Sequence, residues 1–140
     1  MKLINSIEKF LFFIGGYMST NYNIEYNKNK VGYSTYYLLK LDERTIKKVS
    51  PEHLNNFKNG LIKLKITDWK VEYINQVMDG THWTLKIEYN HGQKKNIYGS
   101  NHYPGNKPGN IKASKQFNAF LSHIETLIDE PGFFKKSQLE

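Results

Sequence analysis

The chain has 140 residues and a mass of 16.4 kDa, which suits one compact domain rather than two independent cores. It carries 20 basic and 13 acidic residues, a formal net charge of +7, and no cysteine. The lack of cysteine excludes disulfides, thiolate catalysis and Cys-type zinc sites, and the positive charge argues against a DNA mimic. Because Arg44 is the one arginine among the basic residues, the charge favours attraction to polyanions over base-specific recognition.

The first segment, residues 1–17, contains an apolar run at residues 10–14 that is too short to span a bilayer. Its spacing predicts an amphipathic helix, packed on the domain or on a partner, with one apolar face made of Leu3, Ile4, Ile7, Phe10, Leu11 and Ile14. A leader peptide is the alternative, although Glu8 and Lys9 interrupt the start of the apolar region and no A-x-A-like cleavage site follows.

Two further elements precede the middle of the chain. Residues 22–26 and 33–41 are rich in aromatic and branched residues, and the polar segment 27–30 between them predicts a β-hairpin. Ser50 and Pro51 are typical of a helix start, because the hydroxyl can cap the first turn and proline suits the first helical position.

The middle of the chain predicts a three-stranded antiparallel meander. Its first strand alternates apolar and charged residues over 69–73, and a turn at residues 79–80 follows. The second strand directs four apolar residues to one face, namely Trp83, Leu85, Ile87 and Tyr89. A turn at residues 90–92 then leads into the third strand, residues 94–98.

The last element is the helix with the clearest pattern. Its apolar stripe consists of Phe117, Phe120, Leu121, Ile124, Leu127 and Ile128. The fold class that these elements predict is α+β: an antiparallel sheet of about five strands, a hairpin plus the meander, covered on one face by helices. We assign residues 18–130 to this single domain and residues 131–140 to a C-terminal tail.

The order of these elements resembles small uncharacterised bacterial α+β domains. The segments that carry the resemblance are 50–52, 79–83 and 98–104, which read Ser-Pro-Glu, Asp-Gly-Thr-His-Trp and Tyr-Gly-Ser-Asn-His-Tyr-Pro. The last of them stands before the final helix, as it does in those domains. The resemblance covers about residues 31 to 129 and implies this fold, but it implies no activity.

The loop at residues 99–104 is the candidate recognition site, because regular alternation stops there and polar and aromatic side chains follow one another. Ser100, Asn101 and His102 can form hydrogen bonds with a ligand, and Tyr103 can offer a stacking face. The alternative is structural. Asn101 would then cap the loop's own backbone, and Tyr103 would fill the edge of the core.

Lysines near this loop can add electrostatic support. Lys94, Lys95 and Lys107 are close to it in sequence, although a scattered, solvated lysine surface explains them as well. No catalytic signature is present, since the chain lacks an HExxH motif, a nucleophile elbow and a P-loop. A metal site built on Asp79 and His82 with a third ligand is the weaker alternative.

The sequence therefore predicts a non-enzymatic binding protein, without metal or cofactor, that docks on a protein or nucleoprotein partner. The expected binding residues are Ser100, Asn101, His102, Tyr103, Lys94, Lys95 and Lys107. A phage-type inhibitor of a nucleic-acid-guided host defence complex is the specific expectation, and a cytoplasmic location goes with it. The alternatives are direct, non-specific binding of nucleic acid by a lysine-rich face and, with less support, a metal-dependent enzyme using His and Asp.

Overall fold

The computed structural model describes residues 3–16, 19–38, 40–77 and 80–134. These residues form an eight-stranded sheet and two α-helices, so the predicted α+β class is confirmed with more strands than the five expected. In chain order the elements are β1 (Ile7–Gly16), β2 (Asn21–Asn27), β3 (Lys30–Tyr37), β4 (Lys40–Leu41), β5 (Thr45–Lys48), α1 (Pro51–Lys63), a 3-10 turn (Ile66–Asp68), β6 (Glu72–Ile74), β7 (Thr81–Tyr89), β8 (Gln93–Ser100) and α2 (Lys115–Ile128).

The strands lie side by side in the order β4, β3, β2, β1, β7, β8 and β6, and β5 pairs with β3 on the same edge as β4. Neighbouring strands are antiparallel except β6 and β8, which are parallel. The strand β1 lies at the centre of the sheet. Its Phe12 stands opposite Ile24 of β2 on one side and Leu85 of β7 on the other.

The prediction of an N-terminal amphipathic helix is wrong, because residues 7–16 form the central strand β1. Phe10 and Phe12 are buried on one face of the sheet, whereas Phe13 points to the other face and is 37% exposed. When a strand has apolar residues on both faces, its sequence is a continuous apolar run. Such a run matches the periodicity of a helix as well as that of a strand. Ile4 is also buried, so the domain includes residues before position 18.

The hairpin and the first helix are confirmed. β2 and β3 are joined by a two-residue turn in which Lys28 and Asn29 both have positive φ, 50° and 65°, as a type I′ turn requires. At the start of α1 the Ser50 hydroxyl accepts a hydrogen bond of 3.1 Å from the His53 amide, and Pro51 is the first helical residue. The local capping chemistry therefore determines where this helix begins.

The predicted meander is right for two of its strands and wrong for the third. β7 and β8 form the expected antiparallel pair, but β6 lies beyond β8 and runs parallel to it. β6 has three residues, and Val71, expected on a buried strand face, is 61% exposed. Alternation separates the two faces of a strand, but it fixes neither the ends of the strand nor its neighbour in the sheet. The predicted turn residue Asp79 lies outside the described residues.

Both helices pack on the same face of the sheet. The ring of Phe57 in α1 meets Phe10 edge-on with centroids 5.0 Å apart, and Phe120 in α2 meets Phe12 in the same way at 5.2 Å. The predicted stripe of α2 is buried except for Leu121, which is half-buried. Neither helix in the described part of the chain is long and apolar enough to cross a membrane.

The segment expected to be a tail contributes to the core. Phe133 is 2% exposed, and its ring packs against Tyr22 and Tyr33 with centroids 5.3 and 5.4 Å away. The Tyr22 hydroxyl also donates a hydrogen bond of 3.1 Å to the carbonyl of Phe134. The domain therefore extends to at least residue 134, and residues 135–140 of the predicted tail lie outside the described chain.

Candidate functional site

The loop at residues 99–104 is held in place by hydrogen bonds to other parts of the same chain. Asn101 adopts the left-handed region with φ of 55°, which asparagine tolerates better than most residues. Its Oδ1 accepts a hydrogen bond of 2.7 Å from the Thr81 amide, and its own amide donates one of 2.9 Å to the Thr81 carbonyl. With 5% of its surface exposed, Asn101 connects the end of β8 to the start of β7 and presents little surface to a partner.

A second amide, Asn75, holds the same loop from the other side. Its Nδ2 donates to the carbonyls of Asn101 at 2.9 Å and Asn110 at 3.1 Å, and its Oδ1 accepts from the Gly109 amide at 2.9 Å. One side chain thus ties together the segment after β6, the segment after β8 and the approach to α2. The sequence alone does not single out Asn75, because its partners are 26 to 35 residues away.

The ring of Tyr103 belongs to the core. It is 5% exposed, lies parallel to Trp83 with an interplanar angle of 10°, and meets Phe117 with centroids 4.7 Å apart. Burial raises the pKa of the Tyr103 hydroxyl above its ordinary value, and a hydrogen bond with Thr81 opposes this rise. The Trp83 indole donates a hydrogen bond of 3.0 Å to the carbonyl of His102, so the tryptophan supports the loop from below.

The two remaining loop residues make mainly internal contacts. Ser100 is 9% exposed at the end of β8. The Nε2 of His102 donates a hydrogen bond of 3.1 Å to the carbonyl of Asn106, and its half-buried ring meets Tyr73 edge-on. The loop therefore has the structural role that turn chemistry favours. As a docking site it would offer mostly the partly exposed ring of His102.

The three predicted lysines do not form one patch. Lys94 and Lys95 are neighbours on β8, so their side chains point to opposite faces of the sheet. Lys95 lies on the side of the helices and donates a hydrogen bond of 3.3 Å to the carbonyl of Thr67. Lys107 is exposed in the segment between β8 and α2. Of the three, Lys94 alone projects from the face of the sheet that the helices leave uncovered.

This uncovered face, called the open face below, is defined by three rows of residues across β1, β7 and β8. The strand register places Lys9, Glu88 and Lys94 in the first row, then Leu11, Lys86 and Asn96, then Phe13, Thr84 and Tyr98. The first two rows carry the positive charge, and the third carries two aromatic rings. Sequence patterning missed Lys9 and Phe13 because it assigned them to a helix, whereas both lie on the strand β1.

Lys86 is the centre of this arrangement. Phe13 and Tyr98 stand on either side of Thr84, two residues along β7 from Lys86. Each ring is therefore a diagonal neighbour of Lys86, about 7 to 8 Å away between backbones and within reach of long side chains. Phe13 and Tyr98 are each 37% exposed, so part of each ring faces solvent.

A hydrogen bond restrains Tyr98. Its hydroxyl lies 3.1 Å from Nδ1 of His82, and the two rings are stacked with centroids 6.2 Å apart. His82, one of the two residues considered for a metal site, is thus engaged with Tyr98. Within the described ranges, no group of three His, Cys, Asp or Glu side chains is placed to hold a metal ion.

Two shallow grooves lie on this side of the sheet, one on the open face and one beside it. A basic groove of about 280 Å³ is lined by Lys9, Leu11, Lys86, Glu88, Lys94 and Asn96. A second groove of about 380 Å³ combines apolar and amide or hydroxyl groups, and is lined by Phe13, Asn21, Asn23, Ser34, Thr35, Tyr36 and Leu41. Both grooves include residues of the central strand β1, so they are adjacent on one surface.

The lysines of the basic groove form no ion pair with the residues that the structure describes. Among the described residues the ion pairs lie elsewhere, as between Arg44 and Glu25 at 3.4 Å. Three lysines and one glutamate line the basic groove, which leaves an excess of two positive charges there. Mobile, unpaired ammonium groups beside exposed rings can bind an anionic ligand that also has flat apolar parts.

No protein-family model matches the chain, and no curated protein matches it. The resemblance to small bacterial α+β domains therefore stays a prediction.

Proposed function

We propose that this protein is a non-enzymatic binding protein that docks on a nucleic acid or nucleoprotein through the open face of its sheet. The observation that supports this proposal best is the row of partly exposed aromatic rings, Phe13 and Tyr98, beside Lys86, which forms no ion pair in the described part of the chain. The solvent face of an antiparallel sheet is ordinarily polar. Partly exposed aromatic rings on this face therefore indicate a surface that contacts a partner.

The open face supports docking better than the loop does. A residue that anchors an interface has to bury exposed surface when the partner binds. Asn101 and Tyr103 are each only 5% exposed, so they can bury little more. His102 and Lys107 keep more exposed surface at the end of the sheet and can extend the contact. Lys94 belongs to the open face, and Lys95 is directed away from it.

Within this class, an inhibitor of a nucleic-acid-guided host defence complex is our specific proposal. A net charge of +7 supports contact with a nucleoprotein, whose exposed phosphates attract cations over the length of the face. Action in the cytoplasm is part of the same proposal, since a chain without cysteine is compatible with a reducing compartment.

Site-specific photocrosslinking tests the proposal. A photoreactive phenylalanine analogue is placed at Phe13 on the open face, or at Asn118 on the exposed side of α2 as a matched control. After irradiation in a lysate of the native cell, we expect one macromolecular adduct from position 13 that position 118 does not give. The adduct has to weaken when Lys86→Gln is added. Equal adducts from both positions, or none from position 13, would contradict the proposal.

A further inference from the structure

We infer that the open face binds single-stranded nucleic acid without sequence preference, with phosphates at the lysines and bases stacked on Phe13 and Tyr98. This inference rests on the proposed function and identifies its partner. It starts from the juxtaposition of Lys86 with two exposed rings, one on β1 and one on β8. Single-strand binding surfaces combine these two components, a basic track for the backbone and aromatic faces for successive bases.

The phosphate track follows the first two rows of the open face. Lys9 and Lys94 stand on either side of Glu88, and Lys86 lies one row nearer to the rings. The glutamate moderates the charge of the track but cannot neutralise three lysines. Lysine is a point charge on a flexible stem, which suits contact with phosphates at variable positions more than reading of base edges.

The base-stacking sites are the two rings of the third row. Phe13 and Tyr98 stand on either side of one strand, β7, so their backbones are roughly 10 Å apart. The hydrogen bond between Tyr98 and His82 restrains the tyrosine before a base arrives, which lowers the entropy lost on binding. Phe13 and Tyr98 can stack on a base only if the face of that base is free. This favours binding of a single strand, because the bases of a duplex are already stacked on each other.

Amide side chains surround these rings and add tolerant hydrogen bonding. Asn23 stands opposite Phe13 on β2, and Asn96 stands opposite Lys86 on β8. Both are exposed, and neither side chain forms a hydrogen bond with the part of the chain that the structure describes. An amide carries both a donor and acceptors, so it can pair with any base edge. These groups support binding without selecting a sequence.

A protein partner accounts for the same surface less well. The cores of protein interfaces are depleted in lysine and enriched in arginine and in Trp and Tyr. The open face instead carries three lysines, and its one nearby guanidinium, Arg44, is paired with Glu25. The composition of this surface therefore favours a phosphate backbone over a protein surface.

The test is fluorescence anisotropy with a labelled oligo-dT of about 20 nucleotides, long enough for one site of this kind. We expect binding that weakens with salt, and weaker binding of a duplex of the same length. Phe13→Ala and Tyr98→Ala should each weaken binding by about 5- to 150-fold, the cost of one lost stack. Thermal unfolding of each variant shows whether it is folded.

A charge-matched pair of variants keeps the test valid if a ring variant fails to fold. Lys9→Gln with Lys86→Gln should lower the slope of log affinity against log salt by about 1.4, at roughly 0.7 for each phosphate contact. Lys63→Gln with Lys115→Gln, on exposed positions of α1 and α2, removes the same charge and should change the slope little. Equal effects of the two pairs would overturn the inference.

Two further outcomes separate this inference from the proposed function. A crosslinked adduct from position 13 that resists nuclease and contains protein alone overturns the inference but leaves a docking protein. A second outcome is that the protein does not bind oligo-dT at low salt, while position 13 crosslinks to a nucleic-acid duplex that nuclease removes. This outcome also overturns the inference, but it is consistent with the proposed function. Absence of any adduct from position 13 overturns both.

Discussion

At the scale of single residues, two asparagines hold the loop that the sequence marks as a recognition site. Asn101 joins β8 to β7, and Asn75 joins three separate segments through three hydrogen bonds. Of the predicted site, Lys94 alone lies on the open face. The sequence shows that polar and aromatic groups are concentrated in this loop. It does not show whether their hydrogen bonds are made within the protein, because the partners are 20 or more residues away.

We predict that Asn75→Ala lowers the free energy of unfolding by about 1 to 3 kcal/mol, because it leaves backbone groups of the loop without partners. Urea denaturation measures this change. Asn55→Ala, at an exposed position of α1, is the control and should stay within about 0.5 kcal/mol of the parent protein. An effect of Asn75→Ala no larger than that of the control would contradict the role of this side chain.

Tyr103→Ala is expected to destabilise the protein by about 3 to 5 kcal/mol, since it removes a buried ring that lies parallel to Trp83 and packs at a tilt against Phe117. Tyr103→Phe keeps the ring and should cost much less. If Tyr103 were instead an interface anchor, Tyr103→Ala would leave the thermal unfolding temperature unchanged and reduce partner binding. The two measurements together distinguish the core role from the docking role.

Below neutral pH, His123 is one source of the pH dependence of stability. Burial, and secondly the charge of Lys63, lower the pKa of His123 below its ordinary value, and its ring packs against Gly60 of the other helix. The unfolded chain therefore binds a proton at higher pH than the folded protein, so stability falls as pH drops below about 6.5. Urea titrations at about pH 7 and pH 5 should show a smaller loss for His123→Gln.

At the scale of elements, local chemistry predicts the structure wherever it determines a boundary, as at the cap of α1 and the turn between β2 and β3. Long-range pairing is what sequence patterns omit. The pattern of β1 predicts a helix because this central strand has apolar residues on both of its faces. The predicted meander places β6 beside β7, whereas in the structure β6 pairs with β8. The open face could not be foreseen while its central strand was assigned to a helix.

The central position of β1 has a specific consequence for substitutions. Phe12→Ala should cost about 3 to 5 kcal/mol because the side chain is buried under α2, whereas Leu11→Ala on the open face should cost clearly less. The helical assignment would reverse this order, since Leu11 lies on the helical stripe and Phe12 does not. Chemical denaturation of the two variants decides between them.

At the scale of the whole molecule, the fold separates stability from recognition. Helices and the chain around Phe133 cover one face of the sheet and hold its aromatic core, while the open face keeps three lysines and two rings in contact with solvent. Substitutions on the open face should therefore change binding more than stability, and substitutions at the loop should do the opposite.

The most direct measurement is a map of amide chemical shifts by NMR as unlabelled oligo-dT is added to isotope-labelled protein. We expect progressive shifts at residues 9–13, 84–88 and 94–98, and small changes along α1 and α2. Shifts concentrated at residues 99–109, or spread evenly over every exposed lysine, would contradict this expectation.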